Sequence, residues 1–473
     1  MLKIFISITF FLLSLNGYSQ DEIEAPKLGD TLNKTITLSQ ELKIGRNIYK
    51  NLQNNNYIIN DYLVNDYISY LGNKLSRNLS KNRKYLFFIT KSKDVNAFAV
   101  PGGFIGVNAG LISLTTNEAQ LAGVMAHELG HVVLRHSAEM MASSNVNSIP
   151  MWIGIFAGLL AGQTQASIAS IQSGIGLSVQ RNINLVRENE IESDTFAAKL
   201  MQKSNFDLNE MANFFRLMQG DSNNQSQLNE YFMTHPLYTN RISTIRNRAR
   251  TQYNPIKNST DDYSYVKNIL ESKISSVTIK NYQGSKNDVE NHRIALDLFN
   301  KGSYQKAKNI LEVSYDRNNF NIYISSLMAK ILWDIGEKNK AKNVLKKVLS
   351  VYPDNNSING HLLNLNIKTS YKLSASVEKL NKLIENNPYN PESYKLLAEG
   401  YSKMGELYRS KLALVNYYDL KGNIKMAFKV IDDGTESDKL NNYQKNYLKK
   451  LKNSILCESN PPLEPIFGDK TCN

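Results

Sequence analysis

Residues 125–131 read MAHELGH, and this stretch decides the fold. Residues four apart on a helix share a face, so His127 and His131 project together and can bind one ion, with Glu128 beside them. A catalytic zinc takes three protein ligands and leaves a place for water, whose acidity it raises. Glu128 is then the general base that takes the water's proton and hands it to the leaving amine. With six histidines in 473 residues, accident explains this pattern poorly.

The third ligand must come from elsewhere. A metzincin extension would need a glycine and then a histidine after the motif, but Leu134 and Ser137 stand there, which excludes that subclass. His136, five residues beyond His131, is expected to point away from the pair in a structural or surface role. In RENEIESD, residues 187–194, Glu190 and Asp194 are four apart and share a face. Glu190 is therefore placed to bind zinc and Asp194 to orient a ligand histidine, with Glu188 and Glu192 as alternative ligands.

Working outward, Thr115 and Glu118 fit a capping box that opens the motif helix, which continues through Leu121, Val124, Met125, Leu129 and Val132. Upstream, apolar spacing over residues 39–80 predicts two packed helices. Tyr85–Thr90 reads as a strand, and Ala97–Val107 as a hairpin about Pro101, Gly102 and Gly103. Downstream, the apolar segment MWIGIFAGLLAG, 151–162, is too short to span a bilayer and reads as a core helix or a flap. A helix over residues 184–203 follows, then one opened by Asp207 with Glu210 as its capping-box partner.

The peptidase-like domain is expected over residues 21–250 and a polar linker over 251–290. From there Ala307, Ala341 and Ala375 recur every 34 residues, as do Gly302 and Gly336. This is the tetratricopeptide period, expected to build an all-α solenoid over residues 291–455, with Leu298, Leu311, Leu332 and Leu345 between its helices. The fold class expected is thus an α+β zincin-like domain, mainly helical with a small sheet, followed by that solenoid.

Composition sets the compartment. Lys3, the apolar run Ile4–Leu15 and the small residues Gly17 and Ser19 read as a signal peptide over residues 1–20. Cys457 and Cys472 are the two cysteines, both near the C-terminus; in an exported chain they are expected to form a disulfide in a tail over residues 456–473. The net charge of +13 comes from scattered lysines with no dense basic block and no nucleic-acid motif, so no nucleic-acid partner is expected. No permanent transmembrane span is expected either.

These motifs resemble a known family. HELGH, with E-x-x-x-D downstream, NAFAVPGGFIGVNAGL (96–111) before it and THPLYTNRI (234–242) after it, is similar to the metallopeptidases related to the CAAX prenyl protease and HtpX, peptidase family forty-eight, over residues 35–250. The resemblance implies one zinc held by His127, His131 and Glu190, with Glu128 catalytic. It further implies that Asn96, Ala97, Phe98, Ala99, Pro101 and Gly102 belong to an edge strand on which an extended substrate aligns. His235 is brought near the metal, either donating to the oxyanion or occupying zinc's open place. With the leader and the repeat tail, the likeness implies a periplasmic endopeptidase acting on unfolded or misassembled envelope proteins. The repeats would then engage the outer-membrane assembly machinery. The rival reading is an adaptor or chaperone with a latent peptidase site.

Overall fold

The computed structural model describes residues 36–77, 83–143, 179–220, 240–252, 259–274 and 282–458, with Leu79, His235, Pro236 and Pro255. The leader, the apolar segment 151–162 and Cys472, the expected partner of Cys457, lie outside these residues.

Helix α1, Leu38–Asn54, opens with a capping box between Thr37 and Gln40 and buries Ile44, Ile48 and Leu52. Helix α2, Tyr62–Ser76, is capped by Asp61 and buries Leu63, Tyr67, Ile68 and Leu71. Strands β1 (Leu86–Thr90), β2 (Ala97–Val100) and β3 (Phe104–Asn108) make one sheet in the order β1-β3-β2. β1 runs parallel to β3, pairing Leu86 with Phe104, and β2 is antiparallel to it, pairing Ala97 with Val107. The expected hairpin therefore forms, and β2 is a sheet edge.

The motif helix starts differently from its expected capping box. A short helix α3, Ala109–Leu114, ends at Thr115, whose Oγ1 donates back to the Ile112 carbonyl. Asn117 instead caps α4, Glu118–Val133, by accepting from the Gln120 amide at 2.9 Å. Helix α5 spans His136–Ser143 and α6 Val179–Lys203. In α7, Leu208–Gly220, Asp207 accepts from the Asn209 amide, but Glu210 does not close a capping box. Its carboxylate takes Asn117 Nδ2 at 2.6 Å and Gln120 Nε2 at 3.0 Å, tying α7 to the start of α4. Helix α8, Arg241–Ala249, completes this part.

Packing of α6 against α4 depends on Gly130 of the motif. A Cβ there would lie 3.1 Å from Ser193 Cα, so the missing side chain lets the two backbones approach and brings the acidic face of α6 to the histidines.

The stretch expected as a polar linker contains helix α9, Asp261–Ile274, with Tyr263, Tyr265, Val266, Ile269 and Leu270 buried. Tyrosines supply two of the five apolar residues of this buried face, and the charges between them hide the helical period. Ten further helices follow: α10 (Asp288–Asn300), α11 (Tyr304–Arg317), α12 (Ile322–Asp334), α13 (Lys338–Val351), α14 (Asn356–Lys368), α15 (Leu373–Asn386), α16 (Pro391–Lys403), α17 (Leu407–Leu420), α18 (Ile424–Thr435) and α19 (Asn442–Glu458). α10, α12 and α14 begin 34 residues apart, at 288, 322 and 356, each capped by an asparagine, Asn287, Asn321 or Asn355. Ala307, Ala341 and the four expected leucines are buried. The third period is one residue longer: Ser370 and Lys372 take φ of 54° and 45°, α15 starts 35 residues after α13, and Ser376 is buried in place of the expected, exposed Ala375.

This helical part is seated on the peptidase-like part. Ser357 Oγ donates to the Tyr62 carbonyl at 3.0 Å, Tyr62 pairs its hydroxyl with Ser393 Oγ at 3.2 Å, and Tyr49 donates to the Tyr389 carbonyl at 3.0 Å. One apolar core runs from Ile59 to Leu365 across both parts. No helix among the described residues is long and apolar enough to cross a membrane.

Candidate metal centre

Helix α4 is almost wholly buried, so His127 and Glu128 sit in the interior, 1 % and 0 % exposed, with His131 at its C-terminal end. α6 adds Glu190 and Asp194, and His235 precedes α8. His127 Nε2 lies 3.0 Å from His131 Nε2, 3.3 Å from Glu190 Oε2 and 3.3 Å from His235 Nδ1. Glu190 Oε1 lies 3.2 Å from His131 Nε2 and 3.1 Å from His235 Nδ1. Four donor atoms thus converge on one point.

The cluster fits a zinc ion on three counts. Bonds of about 2.0–2.1 Å in a tetrahedral shell give ligand edges of about 3.3–3.4 Å, close to the spacings here. Lone pairs this close repel unless protons or a cation lie among them. Lastly, Glu128, Glu190 and Asp194 are buried together, and among the described residues the permanent cation paired with them is Arg241, on Glu190 and Asp194, so these described groups are short of positive charge. Both oxygens of Glu128 are buried without a hydrogen bond among the described residues, although His235 Nε2 comes to 3.3 Å from Oε1.

Electrostatics follow the same logic. Burial opposes charge on His127, but Glu190 and Asp194 override it and push the imidazole up to about 10. Burial and the neighbouring imidazoles hold His131 down at about 4, against the pull of Glu190. Glu190 overcomes its burial through His235 and His127 and stays well below the usual carboxylate range, while burial raises Glu128.

Around the four donors stands a supporting layer. Asp194 Oδ1 lies 3.0 Å from His127 Nδ1, the place expected for the orienting carboxylate. Arg241 grips Asp194 with Nε at 2.7 Å and Nη2 at 2.9 Å, reaches Glu190 with Nη1 at 2.8 Å, and donates to the carbonyl of Pro236 beside His235. Nothing in the sequence pattern marks Arg241 beyond its place in THPLYTNRI. His136 corrects its expectation. It is buried and sets its Nδ1 2.9 Å from His131 Nδ1, because Arg135 takes φ of 60° after α4 ends and turns the chain back. Glu188 and Glu192 are exposed away from the donors; Glu192 only approaches His136 at 3.4 Å.

On the expected substrate strand, Asn96 and Ala97 are buried and Phe98 and Ala99 half-buried on the edge. Pro101 and Gly102 are taken up by α1: a Cβ on Gly102 would sit 2.6 Å from Leu42 Cα, and one on Gly45 would sit 2.1 Å from the Pro101 carbonyl oxygen. Among the described residues, Ala97–Val100 is the part of this stretch that forms the edge strand.

A helix-borne His-Glu-x-x-His, a carboxylate from the next long helix and a sheet edge beside them define a metal-dependent peptidase. Residues 64–249 match Peptidase family M48. Along most of its length the chain is similar to the beta-barrel assembly-enhancing protease of Yersinia pestis, 26 % identical over 88 % of each chain. Its likeness to the protein of the same name in Escherichia coli (strain K12) is 26 % over 89 % of this chain and 88 % of that one. Over 34 % of its length it is 28 % identical to the mitochondrial metalloendopeptidase OMA1 of Schizosaccharomyces pombe, of which it covers 46 %. The chain carries a peptidase family M48 domain and is a metalloendopeptidase.

Proposed function

We propose that this chain is an exported zinc endopeptidase that cleaves misfolded or stalled envelope proteins in the periplasm and serves outer-membrane β-barrel assembly. The convergence of His127, His131, Glu190 and His235 beside Glu128 carries the peptidase reading, and the name shared by the relatives from Yersinia and Escherichia supports the assembly role.

His127, His131 and Glu190 would hold the zinc. When bound, zinc supplies the Lewis acidity that polarises a carbonyl and acidifies water. Glu128 accepts the water's proton; its burial favours keeping that proton until the leaving amine takes it. Asp194 holds Nδ1–H of His127 so that Nε2 presents its lone pair, and Arg241 fixes Asp194. An extended substrate pairs with Ala97–Val100.

The helical part is a tetratricopeptide-like solenoid for clients or assembly partners. Helix starts 34 residues apart and recurring asparagine caps support this. One observation favours the second reading, a chaperone whose peptidase is latent: His235 sits within the donor cluster itself. Comparing covalently trapped clients of wild type and Glu128→Gln tests the proposal. Zinc should be retained in the variant while uncleaved envelope proteins accumulate on it; equal cleavage of clients by both proteins would refute the role of Glu128.

A further inference from the structure

Away from the metal centre, Lys330 on α12 joins two cavities. One, of about 270 Å³, lies between α2, α9 and α10 and is lined by Asp61, Lys273, His292 and Leu327. The other, of about 220 Å³, runs along α12 and α14 past Trp333, His361 and Lys368. Phe299 and Lys330 border both.

Three lysines, Lys273, Lys330 and Lys368, and two acids, Asp61 and Asp334, line this seam. Asp61 is engaged: Oδ1 accepts from the amides of Leu63 and Val64, Oδ2 meets Lys273 at 3.6 Å, and against its burial Lys330 and Lys273 hold its carboxyl below the ordinary value. Lys330 has no hydrogen bond or ion pair within 4.0 Å among the described residues, and Asp334 lies on the exposed rim. Next to it His292 is 1 % exposed, and its Nδ1 is buried with no hydrogen-bond partner. A buried unpartnered imidazole nitrogen is costly unless something satisfies it. Burial and Lys330 hold His292 at about 3, so the ring is neutral and offers hydrogen bonding rather than charge.

An ammonium with no direct hydrogen-bond or ion-pair contact among the described residues, a neutral imidazole and the aromatic walls of Phe299 and Trp333 together match one chemistry. We propose that this seam binds a carboxylate carried beside an apolar side chain, presented by the end or by an acidic residue of an unfolded polypeptide. The inference rests on the helical part being the client-binding region. Since Asp61 and Leu63 belong to the peptidase-like part, such a carboxylate would anchor a client against both parts at once.

The test uses full-length, zinc-loaded Glu128→Gln protein, which does not consume the probe. Three fluorescein-labelled peptides are titrated by anisotropy: one ending in Leu-Phe as the free acid, the same peptide amidated, and the amide with a glutamate before the phenylalanine. Binding of the free acid should weaken at least tenfold in Lys330→Met and recover in Lys330→Arg, and the peptide should shield Lys330 from acetylation. Loss on amidation without rescue by glutamate assigns the chain end; rescue assigns the acidic side chain. Equal binding of all three peptides, or binding indifferent to Lys330→Met, overturns the proposal. If Lys330→Met then still captures an unfolded reporter protein, client binding by the helical part stands while this seam is not its site.

Discussion

His136 Nδ1 lies 2.9 Å from His131 Nδ1, so the ring nitrogen of His131 that faces away from the donor cluster is held by a second histidine. The contact depends on Arg135, whose Nε donates to Glu41 at 2.6 Å and whose Nη2 donates to the Ile36 carbonyl at 2.7 Å. Glu41, buried on α1, also pairs with Arg83. A first helix outside the matched domain thus sets the turn that places His136. Outer partners of metal-binding histidines are typically worth roughly 10–100-fold in metal affinity. His136→Ala is expected to lose zinc affinity in that range and His136→Gln less, as measured by chelator competition with helicity checked in parallel. Unchanged affinity in the alanine variant would show that His131 needs no partner.

Arg241 offers a second measurable dependence. It is the permanent cation between Glu190 and Asp194, and removing one partner of a buried ion pair costs about 3–5 kcal/mol. In Arg241→Met the two carboxylates repel, so metal-free protein should unfold at clearly lower urea, and zinc should restore part of the loss by supplying the missing charge. A urea midpoint equal to wild type without metal would contradict this account.

Part of the acid sensitivity should arise outside the metal centre. His292 is pushed down to about 3 by burial and by Lys330, and its ring stacks edge-on against Tyr265 at 5.1 Å. The unfolded state, with an ordinary imidazole near pH 6.5, binds more protons between those values. The contribution is therefore complete above about pH 6.5 and is lost as pH falls toward 3, by at most about 1.4 kcal/mol per pH unit. Denaturation of wild type at pH 7 and pH 5 should show a falling midpoint, and His292→Leu a shallower fall. Parallel slopes for the two proteins would rule out this histidine.

The contrast between His127 and Arg241 shows what the sequence makes legible. His127, Glu128 and His131 are readable because helical spacing alone puts them together, and Glu190 and Asp194 because the same rule gives them one face. Arg241 and His136 depend on long-range packing and on a single left-handed residue, Arg135, which no periodicity announces. Helix α9 is hidden for another reason: its buried face sets Tyr263 and Tyr265 beside Val266, Ile269 and Leu270 in a segment otherwise rich in acids and lysines, so it looks polar when counted by residue type. In the repeats, the period was legible until the residue added before α15 moved the buried small position from Ala375 to Ser376.

His235 yields the sharpest test of whether the enzyme is held in check. Its Nδ1 lies 3.1 Å from Glu190 Oε1 and 3.3 Å from His127 Nε2, while Nε2 stands 3.3 Å from Glu128 Oε1. One imidazole therefore lies against both a proposed ligand pair and the proposed general base. An oxyanion donor would need to face the substrate, whereas a nitrogen among the ligands competes for the place that catalysis needs open. His235→Ala is accordingly expected to raise basal cleavage of an unfolded substrate, or autolysis, severalfold while keeping zinc through the other three ligands. Turnover that instead falls, with zinc occupancy unchanged, would assign His235 to transition-state stabilisation and end the restraint reading.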